Sequence, residues 1–220
     1  QERCEELVAA IMASPAAAKM WVLSDEIYER IVYGVPHVCF AALPGMQART
    51  MLVNGFSKSH AMTGYRVGYL AAPPAIIAAV TTIQGQITSC ASSISQEAAL
   101  AALEKASDDG MARSVEEMRG KRDFVLGRLQ AIPDVKIAVP DGAFYALPDV
   151  SAYFGKSTPS GNFIGDSNDL CLQLLKEHKV ALVAGDGFGC PMGVRISYAT
   201  SMEDLEYAMD EFEKCLSSLR

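Results

Sequence analysis

The chain has 220 residues, 50% of them hydrophobic and 20% charged, with a formal net charge of −7. That is enough for one large or two small domains with a sizeable core, and the 19 Lys and Arg are too scattered to form a footprint for nucleic acid or an anionic membrane. No run approaches the roughly 20 apolar residues that span a bilayer, and the opening Gln-Glu-Arg-Cys-Glu-Glu-Leu does not read as a signal peptide.

Leu7, Val8, Ile11 and Met12 recur at helical spacing, and Pro15 ends that pattern before the apolar run Met20-Trp-Val-Leu23, expected to be a buried strand. Met51-Leu-Val53 and Val67-Gly-Tyr-Leu-Ala-Ala72 read as further interior strands of an α/β sheet. Pro73-Pro74 punctuates the chain. Ser93-Ile-Ser-Gln96 then has the form of a capping box opening an alanine-rich helix. A second helix is expected after Ser107-Asp-Asp-Gly110, with Met111, Val115, Met118, Val125 and Leu129 on one face until Ile132-Pro133 stops it.

Val135, Ile137 and Val139 alternate as a half-buried strand, with Gly142 to Leu147 as its neighbour. Gly155 to Asn168 reads as a flexible loop, Asn168 to His178 as a helix, and Val180 to Val183 and Val194 to Tyr198 as strands. Ser201 caps a final helix with Leu205, Met209, Phe212, Leu216 and Leu219 inward. The expected division is therefore 1–92 as an α/β piece, 93–132 as connecting helices and 133–220 as a small α+β module. Three strands and one helix cannot cover both faces of a parallel sheet, so either another chain covers it or the sequence is the C-terminal part of a longer protein.

Six widely spaced cysteines, Cys4, Cys39, Cys90, Cys171, Cys190 and Cys215, form no C-x-x-C pair and no zinc spacing, so no metal is expected. They read as reduced, buried thiols in a reducing compartment, cytoplasm or plastid, any transit peptide lying outside this sequence. Asn54 to Ser59 lacks the glycines of a phosphate loop, and Gly185, Gly187 and Gly189 precede Cys-Pro rather than a helix, so no dinucleotide fingerprint exists.

The chemistry concentrates just past strand ends. Asp25 and Tyr28 follow the first strand, and Ser57 and Lys58 follow the second, where α/β sheets place ligands. A lysine that forms a Schiff base, an acid that keeps a pyridine nitrogen protonated and a phenol beside it are the protein's side of pyridoxal phosphate chemistry. Lysine titrates near 10.4 when free, so a nucleophilic one must be desolvated or set beside another cation, which Arg66 can be. Ser57 and Arg66 offer a phosphate a hydroxyl and a bidentate fork. By position alone Asp25 fits a turn cap equally well. Arg195, flanked by apolar neighbours in its strand, calls for a ligand carboxylate or a structural ion pair. His37, His60 and His178 read as ordinary loop or helix residues, His60 being also a candidate cofactor contact.

Ser24-Asp-Glu-Ile-Tyr28, the segment Asn54 to Tyr69, Gly142-Ala-Phe-Tyr145, Gly185-Asp-Gly-Phe-Gly189 and Val194-Arg-Ile-Ser197 together resemble the ordered signatures of class I pyridoxal-phosphate aminotransferases. The subgroup most similar is the aspartate and prephenate aminotransferases, although Tyr65 stands where the family often has Trp. The resemblance implies a fold-type I α/β enzyme, this chain supplying the C-terminal part of the large domain and the small α+β domain. It further implies pyridoxal 5′-phosphate bound by Asp25, Tyr28, Ser57, Lys58 and Arg66, catalysis by Lys58, the substrate α-carboxylate on Arg195, and a homodimer. The implied reaction moves an amino group between aspartate or glutamate and a 2-oxo acid such as oxaloacetate, 2-oxoglutarate or prephenate. A carbon–sulfur lyase on the same scaffold, and a non-catalytic fragment that needs a missing N-terminal half, are the alternatives.

Overall fold

The computed structural model describes residues 1–105 and 108–220, in two compact units, Gln1–Arg113 and Ser114–Arg220. In the first unit, helix α1 (Glu2–Ala13) precedes a three-stranded sheet of order β1 (Val22–Asp25), β2 (Thr50–Gly55) and β3 (Gly68–Ala71). The periodic stripe on α1 is narrower than the sequence suggests. Val8 and Ile11 are buried in a cluster with Ala17, Phe40 and Met46, while Leu7 and Met12 face out.

Strands β1 and β2 pair in parallel, Val22 opposite Thr50 through Asp25 opposite Val53. Strand β3 departs from the expected parallel arrangement and runs antiparallel to β2, Gly55 facing Gly68. The reason is the connection: residues 56–67 hold no α-helix, and without a crossover helix the chain can only turn back. The strand start is also later than read, since Met20 and Trp21 stay outside β1 and Trp21 is exposed.

Helix α2 (Pro74–Ile87) lies where the sequence suggested only punctuation. Pro74 occupies its first turn, where a missing N–H costs nothing. It carries no charged residue and no buried one, and Val80, Ile83 and Ile87 are exposed. Helix α3 (Ser93–Lys105) begins one residue early for the expected capping box: Ser93 is already helical, and the Gln96 side chain donates to Ala91 O at 2.8 Å instead. Helix α4 (Asp108–Ala131) follows, the Ser107 start read from sequence lying outside the described residues.

In the second unit Val125, Leu126 and Leu129 of α4 are buried, and Arg128 donates to Asp210 at 2.7 Å and Glu213 at 3.0 Å on the closing helix. That helix, α6 (Met202–Ser218), matches expectation: Ser201 Oγ accepts from Asp204 N at 3.1 Å, and Leu205, Met209, Phe212 and Leu216 are buried. The sheet is antiparallel, ordered β4 (Tyr145–Ala146), β8 (Val194–Ser197), β7 (Val183–Ala184).

Two sequence expectations fail here. Val135 to Val139 forms no strand; only an isolated bridge from Lys136 to Asp149 is present, and Val139 is 56% exposed. Alternation alone did not supply a partner long enough to pair with. Conversely, the supposed loop from Gly155 folds as a hairpin of β5 (Lys156–Ser157) and β6 (Phe163–Ile164) and buries Thr158 and Ile164. Helix α5 (Ser167–Gln173) is capped by Asp166, which accepts from Asn168 N and Asp169 N, and runs on as a π-helical turn to His178. The cysteines are all free thiols, but only Cys215 is fully buried and Cys90 is exposed. Burial pushes the thiols of Cys171 and Cys215 up to about 11.

Candidate cofactor and carboxylate sites

The carboxyl ends of β1 and β2 finish at one edge of the sheet, because the strands are parallel and Asp25 is in register with Val53. Asp25, exposed at the tip of β1, accepts from Ile27 N at 3.2 Å, and the turn so formed carries the half-buried Tyr28. The next residue faces the other way, as strand alternation requires. Glu26 is 5% exposed, and its carboxylate accepts from Ser24 Oγ and Phe40 N, each at 3.0 Å, and meets His37 Nε2 at 2.7 Å. Burial pushes the Glu26 carboxyl up, but the bonds from His37, Phe40 and Ser24 outweigh it and leave the carboxyl below its ordinary value.

Beyond β2 the chain makes a tight arc. His60 N and Met62 N both donate to Phe56 O, at 3.1 and 3.2 Å, and Ala61 N donates to Lys58 O at 3.3 Å. Phe56 and Met62 are buried with Ala99 of α3, so Lys58 rides between two apolar anchors while remaining partly accessible. His60 shares a 2.8 Å contact with Ser59 Oγ, and burial together with the charge of Arg30 lowers its pKa, favouring the neutral ring.

Close backbone approach brings Ser57 and Arg66 together. A Cβ on Gly68 would stand 2.8 Å from Asn54 O, and one on Gly55 would stand 2.9 Å from Gly68 Cα, so both positions demand glycine. Arg66 adopts φ 54° and turns one guanidinium nitrogen onto Thr63 O at 2.9 Å. A cavity of about 240 Å³ results, lined by Asn54, Gly55, Ser57, Arg66 and Gly68 among others and by no carboxylate. Asn54 is 4% exposed; its side-chain oxygen takes Gly55 N at 2.7 Å, and its buried Nδ2 has no partner among the described residues. An orphaned buried N–H costs about 1–3 kcal/mol. A donor-rich, acid-free hollow of this kind fits an anion such as a phosphate.

The second unit holds Arg195 on β8, half-buried, with no carboxylate bound to it among the described residues. Its guanidinium carbon lies 4.5 Å from the Tyr145 ring centre and 4.3 Å from that of Phe188. The structure thus gathers Asp25, Tyr28, Ser57, Lys58 and Arg66 within the first unit and sets Arg195 in the second. Sequence reasoning passed over Glu26, Asn54 and Phe188, and took His37 for an ordinary loop residue. Only for Glu26 was a signal available, since an acid next to an outward Asp25 at a strand end must point inward.

The profile of the family described as aminotransferase class I and II matches residues 4–212. The chain belongs to that family. It is 47% identical to an aspartate aminotransferase of Pinus pinaster, over 100% of this chain and 45% of the relative. It is 46% identical to a bifunctional aspartate and glutamate/aspartate-prephenate aminotransferase of Petunia hybrida, over 92% of this chain and 43% of the relative. The solved aspartate aminotransferase of Rhizobium meliloti superposes with a TM-score of 0.85 at 42% identity, over 91% of this chain and 50% of that one. The chain spans about half the length of the relatives it matches. The fold is that of the fold-type I enzymes, and the family depends on pyridoxal phosphate, whose phosphate the Ser57 and Arg66 hollow suits.

Proposed function

We propose that the protein carrying this chain is an aminotransferase that exchanges an amino group between L-aspartate or L-glutamate and a 2-oxo acid. The names of its relatives support aspartate and prephenate chemistry over carbon–sulfur lysis. The carrying observation is that Asp25 and the Ser57-Lys58 pair leave two parallel strands at one edge, beside a cavity lined by Asn54, Ser57 and Arg66 and by no carboxylate.

When bound, pyridoxal phosphate supplies an aldehyde that condenses with amines and a ring that accepts the electron pair left by a departing α-proton. Asp25 would keep the ring nitrogen protonated, and the Tyr28 hydroxyl would donate to the ring oxygen. Ser57, Arg66 and the unpartnered Nδ2 of Asn54 would hold the phosphate oxygens. Lys58 is the residue that would anchor the cofactor, and its amine would take the substrate α-proton and give it back as general base and acid. Arg195 binds the α-carboxylate as a bidentate fork.

The site completes itself in a homodimer in this reading, supported by the uncharged, unburied surface of α2. The free cysteines support a reducing compartment, cytoplasm or plastid.

Incubating the purified chain with pyridoxal phosphate, reducing with borohydride and mapping the peptides tests the site. The label is expected on Lys58 and lost in Lys58→Ala. Label spread evenly over the other lysines would overturn the assignment. Amino exchange from aspartate to 2-oxoglutarate, measured on the same preparation, tests the reaction.

A further inference from the structure

Arg195 and Tyr145 are diagonal neighbours on one sheet face, because Tyr145 pairs with Ser197 and Arg195 lies two residues before it on β8. Long side chains reach across that diagonal. Phe188 arrives by another route. Strand β7 ends at Ala184, and Gly185 begins a single 3₁₀ turn closing at Phe188, with Gly189 at φ 70°. That turn is tied to the start of β8: Gly185 N donates to Gly193 O at 2.8 Å, Cys190 N to Gly185 O at 3.0 Å, and Gly193 N to Cys190 O at 2.9 Å. A Cβ on Gly185 would stand 2.2 Å from Cys190 O and 2.6 Å from Gly193 O, so only glycine allows the turn to sit so close. The glycine-rich run is thus the device that delivers one aromatic ring to one guanidinium.

Phe188 is 48% exposed, so burial in the core does not account for its ring lying against Arg195. Guanidinium faces are weakly hydrated and its donors lie in its plane. We infer that Phe188 and Tyr145 are positioning residues that clamp the faces of Arg195, leaving its in-plane N–H edge for a single carboxylate. The inference rests on the reading of Arg195 as the α-carboxylate site.

The test is NMR of the full chain, following the Arg195 Nε–Hε signal, assigned by its loss in Arg195→Lys, during titration with 2-oxoglutarate. In the parent the signal is displaced by ring currents and moves on titration. In Phe188→Leu it returns towards the free-arginine position and the titration midpoint weakens about fivefold. Phe188→Tyr restores both. Because Phe188 is exposed, the remaining amide spectrum should be unchanged, separating loss of the clamp from loss of the fold. An undisplaced parent signal, or a Phe188→Leu midpoint equal to the parent's, overturns the clamp. A displaced signal that ignores 2-oxoglutarate leaves the clamp standing and overturns the carboxylate reading on which its purpose rests.

Discussion

Glu26 and His37 face each other across 2.7 Å at the base of the strand end that carries Asp25. Glu26 N also donates to Val53 O at 2.9 Å, continuing the β1–β2 ladder, so one residue fastens the strand end both to its neighbour and to the 37–40 segment.

The depressed Glu26 carboxyl makes this fastening pH-dependent. A group whose folded pKa lies below its unfolded value contributes stability above the unfolded value, about 4.3 for glutamate, and loses it as pH falls through the folded value. Glu26→Gln should destabilise the chain by about 1.5–3 kcal/mol at pH 7 and should lose less stability than the parent on acidification below about pH 4.3. Urea unfolding at pH 7, 5 and 3 checks both. Parallel acid slopes for the two proteins would show that Glu26 is not the titrating group.

Asp25→Asn keeps the size of the side chain and removes the charge that would hold a proton on a ring nitrogen. Turnover should fall by about 10²-fold or more, with weaker cofactor binding. Near-normal exchange rates alongside an unchanged dissociation constant would assign that proton to another group.

Gly185→Ala forces a methyl into the space of two carbonyl oxygens. The turn must shift, at a cost of about 1–3 kcal/mol in denaturant unfolding. Since the turn carries Phe188, the Arg195 Nε–Hε signal should change as well. An alanine accommodated without loss of stability would mean the turn is looser than its hydrogen bonds imply.

Ile83→Glu combined with Ile87→Glu places two charges on the uncharged α2 surface. If that surface is buried between two copies, sedimentation should report a shift from dimer to monomer while the circular dichroism of the chain stays unchanged. A dimer of undiminished affinity would locate the interface elsewhere.

Much of the architecture was legible because its signals are local. Ser201 with its periodic leucines gave α6, and the apolar runs ending at Leu23 and Val53 gave the cores of β1 and β2. The order of Asp25, Tyr28, Ser57, Lys58 and Arg66 along the chain was readable for the same reason. What escaped depends on distant partners. Helix α2 has neither charges nor a buried stripe, so no periodicity marks it. The antiparallel sense of β3 follows from an absent crossover, and the Val135 to Val139 alternation lacks a pairing strand. The Glu26–His37 contact and the two rings beside Arg195 join residues that no spacing rule connects.

The arc that bears Lys58 is held from behind by Phe56 and Met62 resting on Ala99. Position 99 is therefore a remote adjustment screw: a slightly bulkier side chain there would lift the arc and displace the amine of Lys58, and Ser57 with it, from behind. Tuning reaction rates from behind the lysine, through the helix that supports its arc, becomes an engineering option.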